Sequence, residues 1–268
     1  MNIRITSTKN DLIKDIVNLR SKSKERRNRN ITLVEGVKEI SIAASTSVSF
    51  EKVLFCPEII CESEVKTLIG VQNSNVQIYE LSLDVFSKIS YRETTGGVVC
   101  VAKTQSHKLD DLLVEENSLF IILESVEKPG NLGAVCRIAD AAKVSGVIVC
   151  DPLTDIYNPN TVRASLGCVF SVNVISSGSD DVLSWLKRNE INFFAAELSA
   201  VEIYHKCNLN GKTALVFGAE ATGLTEKWIN NADYRIKIPM SGEIDSLNIS
   251  ASVAIMVFEA MRQRDFLV

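Results

Sequence analysis

Residues 118–126, SLFIILESV, and 144–151, VSGVIVCD, are short runs in which almost every side chain is apolar. A strand with one solvated face alternates polar and apolar residues, whereas an unbroken apolar strand is covered on both faces, as in a parallel sheet between helices. FSVNVIS (170–176), INFFAAEL (191–198), KTALVFG (212–218) and YRIKIPM (234–240) bring the series to six strand candidates. Helical patterns alternate with them: GNLGAVCRIADAAK (130–143), NPNTVRASLG (158–167, helix or turn), DDVLSWLKRN (180–189) and a terminal helix over 248–264. Residues 118–268 are therefore expected to form an α/β domain with an open, mostly parallel sheet covered on both faces.

The first hundred residues alternate at shorter intervals. Leu12, Ile13, Ile16, Val17 and Leu19 keep helical spacing, giving an amphipathic helix that runs into a basic stretch. Then follow ITLVEG (strand), KEISIAAS (helix), FEKVLFC (strand), CESEVKTLIG (helix), NVQIYEL (strand), SLDVFSKIS (helix) and TGGVVCVAK (strand). This reads as a small α/β domain over 1–104, joined through a linker at 105–117 to the domain 118–268. With 46% hydrophobic and 23% charged residues either domain can build a core, and five prolines and thirteen glycines exclude collagen-like or low-complexity chains. No run approaches 18 uncharged apolar residues and no signal pattern opens the chain, so a cytoplasmic protein without membrane partner is expected.

Seven cysteines lie mostly inside apolar runs without a C-x-x-C pair, so buried thiols are expected in place of disulfides or a zinc site. His107 and His205 stand far apart beside lysines, leaving no histidine-centred metal site or triad. The formal net charge is −4, but it is unevenly spread: residues 1–30 hold nine basic and three acidic side chains, the remainder twenty and thirty. Within RSKSKERRNR, the cations Arg20, Lys22, Lys24, Arg26, Arg27 and Arg29 surround the single Glu25. Such a run complements a helix C-terminus or contacts phosphates; the focused charge on an acidic protein favours the second use, which supplies affinity more than sequence readout.

Three blocks could carry chemistry. EKPGNLGAVCR (127–137) lies at a strand-to-helix turn; Arg137 interrupts an apolar series and either faces solvent or reaches back toward the strand ends. It lacks the third glycine of a dinucleotide fingerprint, which disfavours an NAD-dependent oxidoreductase. LVFGAEATGL (215–224) places Gly218 directly after a strand, where glycine permits unusual backbone or close approach of a ligand, and Glu220 could equally be a first-turn carboxylate. IPMSGEIDSLN (238–248) offers Ser246 or Asn248 as cap of the last helix, and its uncharged Pro-Met-Ser-Gly turn suits a pocket wall.

Together these blocks resemble the SpoU or TrmH family of RNA ribose 2'-O-methyltransferases, of the SPOUT superfamily. Asn131, Gly133 and Arg137 match its N-x-G…R element; Gly218, Glu220 and Gly223 match G-x-E-x-x-G; Ile238, Pro239, Met240, Ser246, Leu247 and Asn248 match I-P-M…S-L-N. VRASLGCVF (162–170) matches a further segment, and ITSTKN and LVEG resemble the ribosomal-protein-like substrate-binding domain that many members carry in front. The resemblance implies a deep trefoil knot in the C-terminal domain, S-adenosylmethionine as cofactor, RNA as partner and a homodimer formed through the C-terminal domains. It also implies a catalytic set of Arg137, Asn131, Glu220, Ser246 and Asn248, in which Glu220 orients Arg137 or helps close the site. Gly218, Glu220, Ile238, Met240 and Leu247 are implied as cofactor contacts, and the basic run as the RNA contact.

A guanidinium is a poor base, so Arg137 would work with help from an adjacent RNA phosphate. Ala219, where tRNA-acting relatives carry asparagine, and the helix end FEAMRQR are similar to enzymes that methylate a guanosine ribose in large-subunit (23S) ribosomal RNA. That substrate is expected over transfer RNA. A catalytically inactive RNA-binding module of the same fold is the other alternative, against which the retained Arg137, Glu220 and Ser246 speak.

Overall fold

The computed structural model describes residues 3–73, 75–91 and 96–266. Its contacts divide the chain into two compact units, Met1–Gln105 with Asp155–Ser171, and Ser106–Thr154 with Val172–Val268.

The first unit runs β1 (Ile3–Ile5), α1 (Asp11–Ser21), α2 (Ser23–Arg29), β2 (Ile31–Glu35), α3 (Val37–Ala44), β3 (Phe50–Phe55), α4 (Glu62–Ile69), β4 (Gln77–Leu81), α5 (Leu83–Ile89) and β5 (Val98–Lys103). Its sheet has the order β1-β4-β3-β5-β2, parallel among β1, β4 and β3 and antiparallel where β5 joins β3 and β2. Asn10 starts α1 by accepting the Leu12 N–H at 2.9 Å. Ile13, Ile16 and Leu19, one turn apart, are fully buried with Leu33, Leu54, Phe86, Val99 and Val101. Each such side chain contributes about 1.5–3 kcal/mol of burial. The single helix expected here is two, because the extended backbone of Lys22 turns the chain between α1 and α2, and Asn30 at φ 51° ends the second.

The second unit begins with β6 (Leu119–Glu124), α6 (Pro129–Ala141) and β7 (Gly146–Cys150). After α7 (Pro159–Ala164), grouped with the first unit, it continues through β8 (Val174–Ser177), α8 (Ser179–Arg188), β9 (Asn192–Ala196), β10 (Glu202–Ile203), β11 (Thr213–Phe217), α9 (Glu226–Asn231), β12 (Tyr234–Lys237) and α10 (Ile249–Gln263). Seven strands in the order β10-β12-β9-β11-β6-β7-β8 pair in parallel throughout. Every residue of β6, β7 and β11 is buried, as their unbroken apolar runs require. Phe120, Ile122, Ile148 and Val216 face a core with Trp185 of α8 and Trp228 of α9. Their neighbours Ile121, Leu123, Val147, Val149 and Leu215, also fully buried, point to the opposite face by the strand pleat; there α10 packs on α6 and β11.

Three sequence boundaries differ. The expected linker at 105–117 is grouped with the second unit from Ser106 onward, and its Leu112 is buried in that unit's core. The expected continuous domain from 118 is interrupted, because Asp155–Ser171 makes its contacts in the first unit: Thr32 Oγ1 donates to Tyr157 O at 2.6 Å, and Gly167 lies against the Glu39 backbone. FSVNVIS is strand only from Val174, since Cys168–Phe170 forms a 3-10 turn. Five cysteines are buried thiols as expected, while Cys61 is exposed and Cys207 half-buried. Among the described residues no helix is long and apolar enough to cross a membrane.

Candidate functional site

In a parallel sheet the loops beyond the strand C-termini form the ligand crevice. Here the loops after β9, β11 and β12 enclose a cavity of about 460 Å³ together with the start of α10. Leu198, Ile236, Ile238, Met240, Leu247 and Met256 give it apolar walls, and Gly218 to Gly223 one side. Ile238, Met240 and Leu247, expected as cofactor contacts, all line this cavity.

The loop of the second block is closed backbone on backbone. Gly223 N–H donates to Ala219 O at 2.8 Å, and a side chain at Gly218 would sit 2.1 Å from the Gly223 carbonyl carbon. Gly223 itself has φ +69°. Both glycines therefore serve the loop's own crossing: the place of a side chain at Gly218 is filled by the Gly223 backbone, while Gly218 itself lines the cavity. The loop is anchored behind by Glu124, a buried carboxylate at the end of β6. It accepts the Thr225 N–H at 2.8 Å and Oγ1–H at 2.7 Å.

Helix α6 begins with Pro129 in its first turn, leaving Lys128 as N-cap and Asn131 in the opening turn. From this start two side chains reach the other blocks. Lys128 Nζ lies 3.7 Å from Glu220 Oε2, and Asn248 Nδ2 donates to Asn131 Oδ1 at 3.3 Å. Asn248, and not Ser246, caps α10, its Oδ1 accepting the Ser250 N–H at 3.0 Å. Ser246 is exposed on the cavity wall with its hydroxyl 3.4 Å from Asp245. Asn131 Nδ2 is buried without a hydrogen-bond acceptor, an open donor beside the place where the first and third blocks meet.

Arg137 lies on the exposed face of α6 and takes no ion-pair partner among the described residues. Glu220 lies beside Lys128 at the start of α6 and makes no ion pair with Arg137 on the third turn among the described residues, an arrangement that fits the second expected role, closing the site, better than orienting Arg137.

Glu197, beyond β9, was not singled out by spacing, although it is the acid that ends the apolar run of INFFAAEL. Its side chain is 10% exposed, 3.3 Å from Arg235 Nε, and its buried Oε1 makes no hydrogen bond on the cavity wall. Glu124 was missed as well; its signal is an acid within the otherwise apolar SLFIILESV.

The basic run divides. Arg26 is 3% exposed, with Nε and Nη2 on Asp155 Oδ2 at 2.9 and 2.7 Å and Nη1 on Leu19 O at 2.6 Å, so it is a structural cation and not a phosphate contact. Arg29 forks onto Asp15 at 2.6 and 3.0 Å. Arg20 Nη1 caps α5 at Ile89 O and Ser90 O. Lys22, Lys24 and Arg27 remain exposed.

Residues 118–258 match the family described as SpoU rRNA Methylase, and residues 10–100 match the MRM3-like substrate binding domain. The chain is 28% identical over 255 residues to the 23S rRNA (guanosine(2553)-2'-O)-methyltransferase RlmP of Bacillus subtilis strain 168, covering 95% of this chain and 98% of that one. An RNA 2'-O ribose methyltransferase of known crystal structure superposes with a TM-score of 0.85 at 33% identity, covering 98% of this chain and 99% of the other. The AdoMet-bound rRNA methyltransferase of Sinorhizobium meliloti gives 0.88 at 28% identity, covering 97% of both.

Proposed function

Since the chain belongs to the SpoU rRNA methylase family, we propose that it transfers a methyl group from S-adenosylmethionine to a ribose 2'-hydroxyl of RNA, with ribosomal RNA as the substrate. The observation that carries this reading is the convergence of the three blocks: the start of α6 touches Glu220 and Asn248 beside a cavity walled by the second and third blocks. The apolar walls suit an adenine ring. The reading includes a trefoil knot in the second unit, for which the joint lining of one cavity by 218–224 and 238–247 is the support.

The sulfonium of the bound cofactor supplies an already activated methyl group. The chain's own residues must then hold the ribose in line with it and take charge of the 2'-hydroxyl proton. Arg137, without an ion-pair partner among the described residues, would hold a phosphate or the developing negative charge on the 2'-oxygen; a protonated guanidinium has no lone pair for the hydroxyl proton, whereas a phosphate oxygen can accept it. Ala219, the FEAMRQR helix end and the rRNA-acting relatives favour ribosomal over transfer RNA. Mapping ribose methylation in total RNA from cells with and without the gene tests this: loss of a site in large-subunit rRNA supports it, and loss in tRNA alone overturns it.

Calorimetry with S-adenosylhomocysteine and with NAD tests the cavity; only the first is expected to bind. Gly218→Ala forces the loop apart at its crossing, a strain of about 1–3 kcal/mol. It is expected to weaken S-adenosylhomocysteine by about tenfold or more while the far-UV spectrum stays near native. Unchanged affinity would remove this loop from the cofactor site.

The expected homodimer is proposed on the outer face of α10, since Ile249, Met256 and Met261 are buried in the core. Phe258 is 42% exposed, with Ile255 and Ala254 half-buried beside it. Light scattering is expected to give about twice the chain mass, and a monomer mass contradicts the dimer.

A further inference from the structure

Tyr91 follows α5 in the first unit, and its backbone is held from two sides. Its N–H donates to Glu35 Oε1 at 2.6 Å, and the carbonyls just before it accept from Arg20 at 3.2 and 3.1 Å. Yet the residue is 51% exposed, so its ring serves no core. One face is covered: the Arg163 guanidinium carbon, from the last turn of α7, lies 4.0 Å from the ring centroid. Arg163 Nη1 is buried and makes no hydrogen bond among the described residues, and the guanidinium is held in its stack on Tyr91. A fixed aromatic ring with a cation beneath it and solvent around it has the chemistry of a nucleobase platform. The helix whose Arg20 holds the approach to Tyr91 leads within two residues to Lys22, the first of the exposed cations Lys22, Lys24 and Arg27.

From this geometry we propose that Tyr91, backed by Arg163, stacks one unpaired base of the RNA substrate, while Lys22, Lys24 and Arg27 take phosphates of the same strand. The site rests on the reading of RNA as substrate and adds to it a requirement for single-stranded RNA at the first unit.

The test uses the full chain with a single-stranded adenosine oligonucleotide, a duplex of equal length and purified ribosomal RNA. Tyr91→Ala is expected to weaken the single strand by about tenfold or more, leave the duplex unchanged and leave S-adenosylhomocysteine affinity intact; Tyr91→Phe is expected to bind like the parent. Tyr91→Trp gives a second readout, because the two native tryptophans, Trp185 and Trp228, are buried at 2% and 0% exposure. The exposed indole's red-shifted emission is expected to be quenched by the single strand. That signal decides the matter if Tyr91→Ala does not fold. Unchanged single-strand affinity in Tyr91→Ala, equal loss on the duplex, or unquenched emission in the bound Tyr91→Trp protein overturns the platform and leaves the methyltransferase reading standing. A parent protein that binds none of the three RNAs overturns both.

Discussion

Arg137→Ala is expected to lower single-turnover methyl transfer by about 10²- to 10⁴-fold at RNA and S-adenosylmethionine concentrations that saturate the enzyme. The side chain is exposed and α6 is fixed by its other face, Leu132, Val135, Cys136 and Ala139, so stability should stay within about 0.5 kcal/mol of the parent. Affinity for S-adenosylhomocysteine should not change, since Arg137 does not line the cavity. Some loss of RNA affinity is compatible with a phosphate contact, but the rate at saturation isolates what the guanidinium does at the reacting oxygen. Arg137→Lys retains charge without the planar fork and should fall between the two. A near-normal rate for the alanine variant would remove Arg137 from the catalytic role.

A comparable effect on stability is expected from a residue that looks like its neighbours in the sequence. Arg26→Gln removes the cation from a nearly dry ion pair with Asp155 and strips Leu19 O of its donor at the end of α1. Breaking one side of such a pair costs about 3–5 kcal/mol, because the other charge stays buried alone. Both tryptophans belong to the second unit, so the measurement should follow hydrogen exchange of amides in α1 and β2. The contrast is Lys22, Lys24 and Arg27 changed together to glutamine. Those side chains are exposed, so stability should hold, while the slope of log affinity against log salt should shrink by about 2 if each meets a phosphate of single-stranded RNA. Parent-like exchange in Arg26→Gln would mean that Asp155 finds another partner.

These two arginines mark how far the sequence is legible. The parallel sheet can be read because covering a strand on both faces removes alternation, and β6, β7 and β11 carry that mark in every residue. The three blocks can be read because their glycines, asparagines and arginine stand in an order that composition does not produce. β1 and β10, three and two residues long, are too short for any period, and the turn at Lys22 lies among residues that all tolerate helix. Arg26 cannot be told from Arg27 locally, since its partner stands 129 positions away. Gly218 was legible as special, but its reason was not: only the structure shows the Gly223 carbonyl where a side chain would go. Glu124 and Glu197 are single acids in apolar runs, and nothing in the run says that one anchors a loop while the other faces a cavity.

The closure of the second block's loop at Gly218 and Gly223 also bears on how the gene can vary. At Gly218 the Gly223 backbone occupies the place of a side chain, and at Gly223 the φ of +69° strains residues other than glycine, so drift finds a poor path through either. Glu220, Ala221 and Thr222 between them are exposed and border the cavity, and Ala219 is buried. Variation is thereby channelled to three positions that border the cavity, while the backbone crossing that frames it stays fixed. A library that randomises 220–222 in this chain should keep the fold in most members and spread their affinities for S-adenosylhomocysteine, so a lineage can retune the slot without first losing its frame.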